Sequence, residues 1–268
     1  MSAEQGTSAD SAPPPRQRRT VLRTPEDWTD AVLESAVSVF TGAKHIEQSQ
    51  LERLAALPNL ATLELAGIRR SIAPLTSSRS LRELRLTDPA TLDGVERLVD
   101  IDSLQIYCLP KIHSLEPLRP LSRLRRLLLS TPPSYDASRK CHRVESLGPL
   151  ANLTSLEWLL MRGILPERDR LEPLHALKQL ASLEISHVFA FAIEDYARLS
   201  RALPETDGRA LRPYSPAPWA GPCSKCGGER VELTGPRPRS PRSLCPVCQG
   251  QQLLNHVARW DAAKNAAR

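Results

Sequence analysis

The sequence predicts an α/β solenoid: a stack of short coils with a parallel sheet on its concave face and short helices or 3-10 turns on its convex face. A small cysteine-bearing module follows it. Three observations carry this expectation. Leucine supplies 42 of 268 residues while Trp, Tyr and Phe together number 11, so the core is built from one side chain used repeatedly. An Leu-x-x-Leu-x-Leu pattern recurs through the middle of the chain. Two Cys-x-x-Cys pairs stand 18 residues apart near the C-terminal end.

Taken in order, residues 1–23 read as a disordered tail. Arg16, Arg18 and Arg19 are followed by no apolar segment and no small-residue cleavage site, so the tail is not a secretory signal. A helical cap opens at Thr24-Pro25-Glu26-Asp27, where an N-cap residue, a proline at the first helical position and an acid lead into Trp28, Ala31 and Val32. Ser49 with Glu52 is a second helix start, before Leu51, Leu54 and Leu57.

The repeats follow as Leu60, Leu63, Leu65; Leu81, Leu84, Leu86; Ile101, Leu104, Ile106; Leu124, Leu127, Leu129; Leu153, Leu156, Trp158; and Leu180, Leu183, Ile185. Their first positions lie 21, 20, 23, 29 and 27 residues apart. Leucines in alternation suit a strand with one buried face, and apolar residues every third position upstream suit a tight turn on the opposite wall. One coil cannot bury both leucines alone, whereas stacked coils share a continuous core. The pattern resembles the leucine-rich repeat family, and the run Val144, Leu147, Leu150, Leu153, Leu156 resembles its internalin-type bacterial class. The family's Asn ladder is missing: its place falls on Gly67, Asp88, Cys108, Thr131, Leu160 and His187. Phe189, Phe191, Ile193, Tyr196, Leu199 and Leu203 suit a closing helix, so the solenoid spans 24–203.

Residues 204–222 hold five prolines without apolar periodicity and read as an extended linker. Cys223-x-x-Cys226 and Cys245-x-x-Cys248 then have the spacing of a four-thiolate metal site. Each pair is followed within two residues by glycine, Gly227 or Gly250, which lets the backbone turn around sulfur. Zinc is the leading occupant; iron, a redox dithiol pair and disulfides are the alternatives. Residues 223–248 resemble the zinc-ribbon family, which implies a single structural Zn2+ joining two hairpins. Four protein thiolates leave no open coordination position for chemistry. Residues 249–268 form a C-terminal helix on Leu253, Leu254, Val257 and Trp260.

Function follows from the side chains between the leucines, which face out of the sheet where leucine-rich repeats usually bind partners. The binding residues expected there are Glu64, Arg85, Gln105, Tyr107, Arg126, Leu128, Glu157, Leu159 and Glu184. Longer repeats add Arg-rich loops, 131–143 and 162–170, placed to overhang that face. The net charge of +6 splits into +2 over 1–24, −2 over 25–200 and +6 over 201–268. Its 30 Arg against 6 Lys fit GC-rich coding better than a basic track for phosphates. No nucleotide-binding, zincin or serine-hydrolase motif is present. No run is long and apolar enough to span a membrane.

The expectation is therefore a cytoplasmic, non-catalytic protein-binding scaffold with no small-molecule substrate. One alternative is a nucleic-acid adaptor using Arg237, Arg239 and Arg242 of the ribbon together with the basic tails. Another is a thiol enzyme using Cys141 beside His142.

Overall fold

Five-residue segments that alternate apolar and polar side chains bury one face when they pair as strands. The computed structural model describes residues 20–22, 29, 33, 36–41, 46–131, 141–186, 190–236 and 243–266. In it the chain folds as a leucine-rich repeat solenoid around one eight-stranded parallel sheet. In spatial order the strands are β1 (Thr20–Leu22), β2 (Ser38–Thr41), β3 (Thr62–Ala66), β4 (Glu83–Thr87), β5 (Ser103–Tyr107), β6 (Arg126–Ser130), β8 (Trp158–Arg162) and β10 (Ser182–Ile185). Between the last three, β7 (His142–Val144) and β9 (Ile164–Pro166) pair in parallel as a separate two-stranded sheet built from the two long loops.

The register stacks like on like. One ladder runs Leu63, Leu84, Leu104, Leu127, Leu159, Leu183 and a second runs Leu65, Leu86, Ile106, Leu129, Met161, Ile185. Every one of these side chains is at most 5% exposed, and each such burial contributes about 1.5–3 kcal/mol relative to exposure. The opposite wall is made of 3-10 turns at Ala73–Ser77, Glu116–Leu118, Gly148–Asn152 and Glu172–Ala176. Each carries proline as its second residue and a buried leucine next to it, as in Pro74-Leu75 and Pro149-Leu150. Proline pre-sets the backbone angle at the start of the turn, and the leucine closes the coil against the sheet.

Backbone hydrogen bonds replace the missing Asn ladder. The N–H of Gly67 donates to Thr87 O at 2.7 Å, Asp88 to Tyr107 O at 2.9 Å, Cys108 to Ser130 O at 2.6 Å and Thr131 to Arg162 O at 2.8 Å. Gly67, Asp88 and Cys108 reach this position with φ of 70°, 49° and 57°, so two L-residues occupy a left-handed conformation that glycine adopts freely.

Several expectations need correction. The fifth repeat is shifted by three residues: β8 pairs Leu159 with Leu127 and Met161 with Leu129, so its pattern is Leu156, Leu159, Met161. Residues 20–22 belong to the sheet, and Leu22 is fully buried, so the expected disordered tail does not extend over them. The cap expected from Thr24 through Val32 lies almost wholly outside the described residues. Helix α1 (Gln48–Ala55) starts earlier than Ser49 would cap it: Glu47 is the N-cap, and its N–H donates to Gln50 Oε1 at 2.8 Å.

The expected linker is docked. Asp207 forms a parallel bridge with Ser182 at the edge of the sheet, receiving the Leu183 N–H at 2.8 Å, and Ala210, Leu211 and Ala217 are buried. Strand β11 (Tyr214–Pro216) then opens an antiparallel three-stranded sheet with β12 (Val231–Leu233) and β13 (Ser243–Leu244). The ribbon thus begins at Tyr214, upstream of the first cysteine. Helices α2 (Ile193–Ala202) and α3 (Gly250–Asn265) form as expected. They pack together: Arg259 Nη2 and Nε donate to Glu194 Oε1 at 2.6 and 3.0 Å, and Trp260 is 2% exposed. Leu254, expected on the packed face of α3, is instead 63% exposed. Among the described residues no helix is long and apolar enough to cross a membrane.

Candidate metal centre and concave binding face

The two knuckles are built by backbone turns. The Gly227 N–H donates to Cys223 O at 2.7 Å and the Cys223 N–H to Gly228 O at 2.9 Å. Gly227 has φ of 72°, which is why glycine follows Cys226. The second knuckle is tied by Gln249, whose N–H donates to Cys245 O at 2.9 Å while its Oε1 accepts the Cys245 N–H at 3.1 Å.

These turns bring four sulfurs together. Cys223 Sγ lies 3.9 Å from Cys248 Sγ, and Cys226 Sγ lies 3.4 Å from Cys245 Sγ; all four fall within 4.8 Å of one another. Sulfurs held about 2.3 Å from a tetrahedral ion stand roughly 3.8 Å apart, whereas a disulfide requires about 2.05 Å. The donor set therefore fits a four-thiolate metal site, and all four cysteines are free thiols. Backbone N–H groups of Lys225 and Cys226 aimed at Cys223 Sγ hold that thiol down to about 6. The Cys248 N–H, aimed at Cys245, lowers that one too, while hydrogen bonding to the neighbouring sulfurs pushes Cys248 up to about 12. Thiolate character is thus favoured at part of the cluster before any cation arrives.

On the concave face, Glu83 Oε1 accepts hydrogen bonds from Arg85 at 2.8 and 3.0 Å and from Gln105 Nε2 at 2.9 Å, and Tyr107 Oη donates to Gln105 Oε1 at 3.1 Å. Arg85, Gln105 and Tyr107, expected there, form one network with Glu83. Arg126 lies 5.5 Å from the centroid of the Trp158 ring, over its face. Glu64 and Glu184 stand at the two sides of the central row, and Glu184 is exposed.

Three expected contacts are placed otherwise. Leu159 points into the core and is fully buried. Glu157 precedes β8 and pairs with Arg125 at 2.6 Å. Leu128 is on the face but only 8% exposed, so it offers little surface. The corrected register puts Trp158, Leu160 and Arg162 on the face instead. The signal that would have located them is Met161: reading Leu156-x-x-Leu159-x-Met161 restores a 24-residue step to Leu180. The face holds Glu64, Glu83 and Glu184 beside Arg85, Arg126 and Arg162, so it has no track of one sign for a phosphate backbone.

The long loops do not assemble a thiol nucleophile among the described residues. Burial pushes the Cys141 thiol up, with Arg143 opposing it only in part. His142 Nε2 lies 2.7 Å from Ile112 O, and its ring meets that of His113 at 5.3 Å. Burial, followed by the nearby Asp88 charge, likewise raises Cys108. Arg237, Arg239 and Arg242, and most of loop 131–143, lie outside the described residues.

No family model and no curated protein sequence matches the chain. Among solved structures it is similar to internalin C2 of Listeria monocytogenes (24% identity, 59% of this chain and 63% of that one, TM-score 0.43). It is similar also to an internalin F of the same organism (17%, 66% and 62%, TM-score 0.43) and to the leucine-rich repeat-containing protein LegL7 of Legionella pneumophila (16%, 88% and 83%, TM-score 0.32). The matched part spans less than two thirds of the length of either internalin.

Proposed function

We propose that this chain is a non-catalytic scaffold that binds a protein on the concave face of its solenoid, with one structural zinc ion held by Cys223, Cys226, Cys245 and Cys248. The observation that carries the binding assignment is the make-up of the face around β6 and β8. Arg126 stacked over Trp158, with Leu160 next along β8 and Tyr107 in the row of Arg162 at the other end of the strands, combines the aromatic and Arg side chains that anchor interfaces. The hydrogen-bonded Glu83, Arg85, Gln105 and Tyr107 are already held in place, which lowers the ordering cost of association.

Bound zinc would contribute folding free energy on the order of 10–16 kcal/mol, which suits a module too small to hold itself by burial. A cytoplasmic setting keeps four thiols reduced and available as ligands. The experiment is affinity capture from the native cell with the full wild-type chain and with Tyr107→Ala, Trp158→Ala and Leu160→Ser combined. Loss of the captured protein at unchanged folding supports the reading; recovery of the same proteins by both overturns it.

A further inference from the structure

Two arginines on the concave face differ from the rest. Arg85 is held by Glu83, but Arg126 and Arg162 have no carboxylate partner among the described residues. Both side chains are exposed. Arg126 is the first residue of β6 and Arg162 the last of β8, two neighbouring strands in which Arg126 sits opposite Trp158 and Ser130 opposite Arg162. The two cations therefore lie at opposite ends of the strands, roughly 13 Å apart along their direction at about 3.3 Å per residue. Midway between them is Leu160, half-buried, opposite Leu128. The arrangement is a cation, an apolar platform and a second cation. Across the next strand pair Leu160 faces Glu184, whose exposed carboxylate repels an acid placed on that side.

Resting on the proposed protein-binding role of this face, we propose that its partner presents an acidic segment: two carboxylates bracketing an apolar side chain, which seats over Trp158 and Leu160 between Arg126 and Arg162. For an extended segment running along the strands, the two acids stand about four residues apart with the apolar residue midway. Each carboxylate pairs with a guanidinium that has no carboxylate partner among the described residues, so the match adds attraction without breaking an ion pair seen there. Glu184 supplies the repulsive element that fixes where the acids can lie. Arg126 remains usable while stacked, because a guanidinium over a ring keeps N–H donors at its planar edge for a carboxylate.

The test is selection of a random twelve-residue peptide library on the full, metal-loaded chain, followed by affinity measurement of the enriched peptides on three proteins. These are the wild type, Arg126→Glu combined with Arg162→Glu, and Leu160→Asp. Peptides enriched in paired acids around an aromatic or aliphatic residue are expected. They should bind the double charge-reversal variant at least tenfold more weakly, and wild-type affinity should fall steeply between low and high salt. Thermal melting checks that each variant is folded, and the arginine pair, being exposed, gives a reading even if Leu160→Asp does not fold. Peptides that depend on Leu160 but carry no excess of acids, and that bind the charge-reversal variant equally, overturn the acidic-partner inference and leave the face as a binding site. Peptides whose binding responds to none of the variants overturn both.

Discussion

Single residues set the spacing of the coils. Gly94 has φ of 94°, and a Cβ there would lie 2.3 Å from the Ala73 backbone nitrogen and 2.8 Å from Ile72 C. The coil of Val95 approaches the preceding turn too closely for any side chain, as the Ile72 N–H donating to Asp93 O also shows. Gly94→Ala should therefore cost about 2–3 kcal/mol, combining overpacking with left-handed strain, read as a lower urea midpoint. Ser78 gives the opposite expectation. Its buried hydroxyl has no hydrogen-bond partner among the described residues, and an unpaired buried polar group carries a desolvation cost without return. Ser78→Ala should be neutral or should stabilise by up to about 1 kcal/mol in the same denaturation assay.

At the level of elements, the closing helix α2 is where solenoid, ribbon and C-terminal helix meet. Tyr196 is fully buried and meets Phe191 edge-on at 5.8 Å, while Asp195 Oδ2 accepts the Ala192 N–H at 3.2 Å and an Arg170 N–H at 3.1 Å. Arg170 belongs to the second long loop, so that loop fastens the end of the solenoid. Helix α3 docks on α2 through Trp260 and the Arg259–Glu194 pair. Burial raises the Glu194 carboxyl, but hydrogen bonds from Arg259 and its own backbone N–H, with the Arg259 and Arg198 charges, outweigh this and hold it below its ordinary value. A carboxyl depressed in the folded state adds stability above its free-chain value of about 4.3 and loses it as pH falls through the folded value. Below that free-chain value, wild type should lose stability faster than Glu194→Gln, and the two should converge in thermal melts at low pH.

Across the whole molecule, the proposed zinc site and the leucine core should stabilise different parts. The second knuckle runs directly into α3 through Gln249, so the cysteine cluster anchors the helix that covers α2. Cys245→Ser, or prolonged chelation, should remove one zinc per chain by elemental analysis and expose Trp260 to water, seen as a red shift of tryptophan emission. The parallel sheet should persist in far-ultraviolet circular dichroism, because its twin ladders of buried apolar side chains require no metal. Collapse of the entire far-ultraviolet signal would show that ribbon and solenoid fold as one cooperative unit.

Periodicity alone revealed the leucine ladder, the closing helix, the C-terminal helix and the four clustered cysteines. Each depends on local spacing: leucines at strand period, apolar residues at helical period, sulfurs two residues apart. The Pro-Leu marks of the convex turns were equally local and were missed. What local spacing could not decide was register. Leu153-x-x-Leu156-x-Trp158 and Leu156-x-x-Leu159-x-Met161 both satisfy the pattern, and only the hydrogen bonds of β8 to β6 choose between them. That choice turns Leu159 inward and brings Trp158, Leu160 and Arg162 to the surface, because a strand slipped by an odd number of residues exchanges its faces. The docking of the proline-rich segment was hidden for a related reason: its partners, Ser182 and Leu183, lie over 20 residues upstream along the chain, and contacts of that kind exist only once the sheet edge has formed.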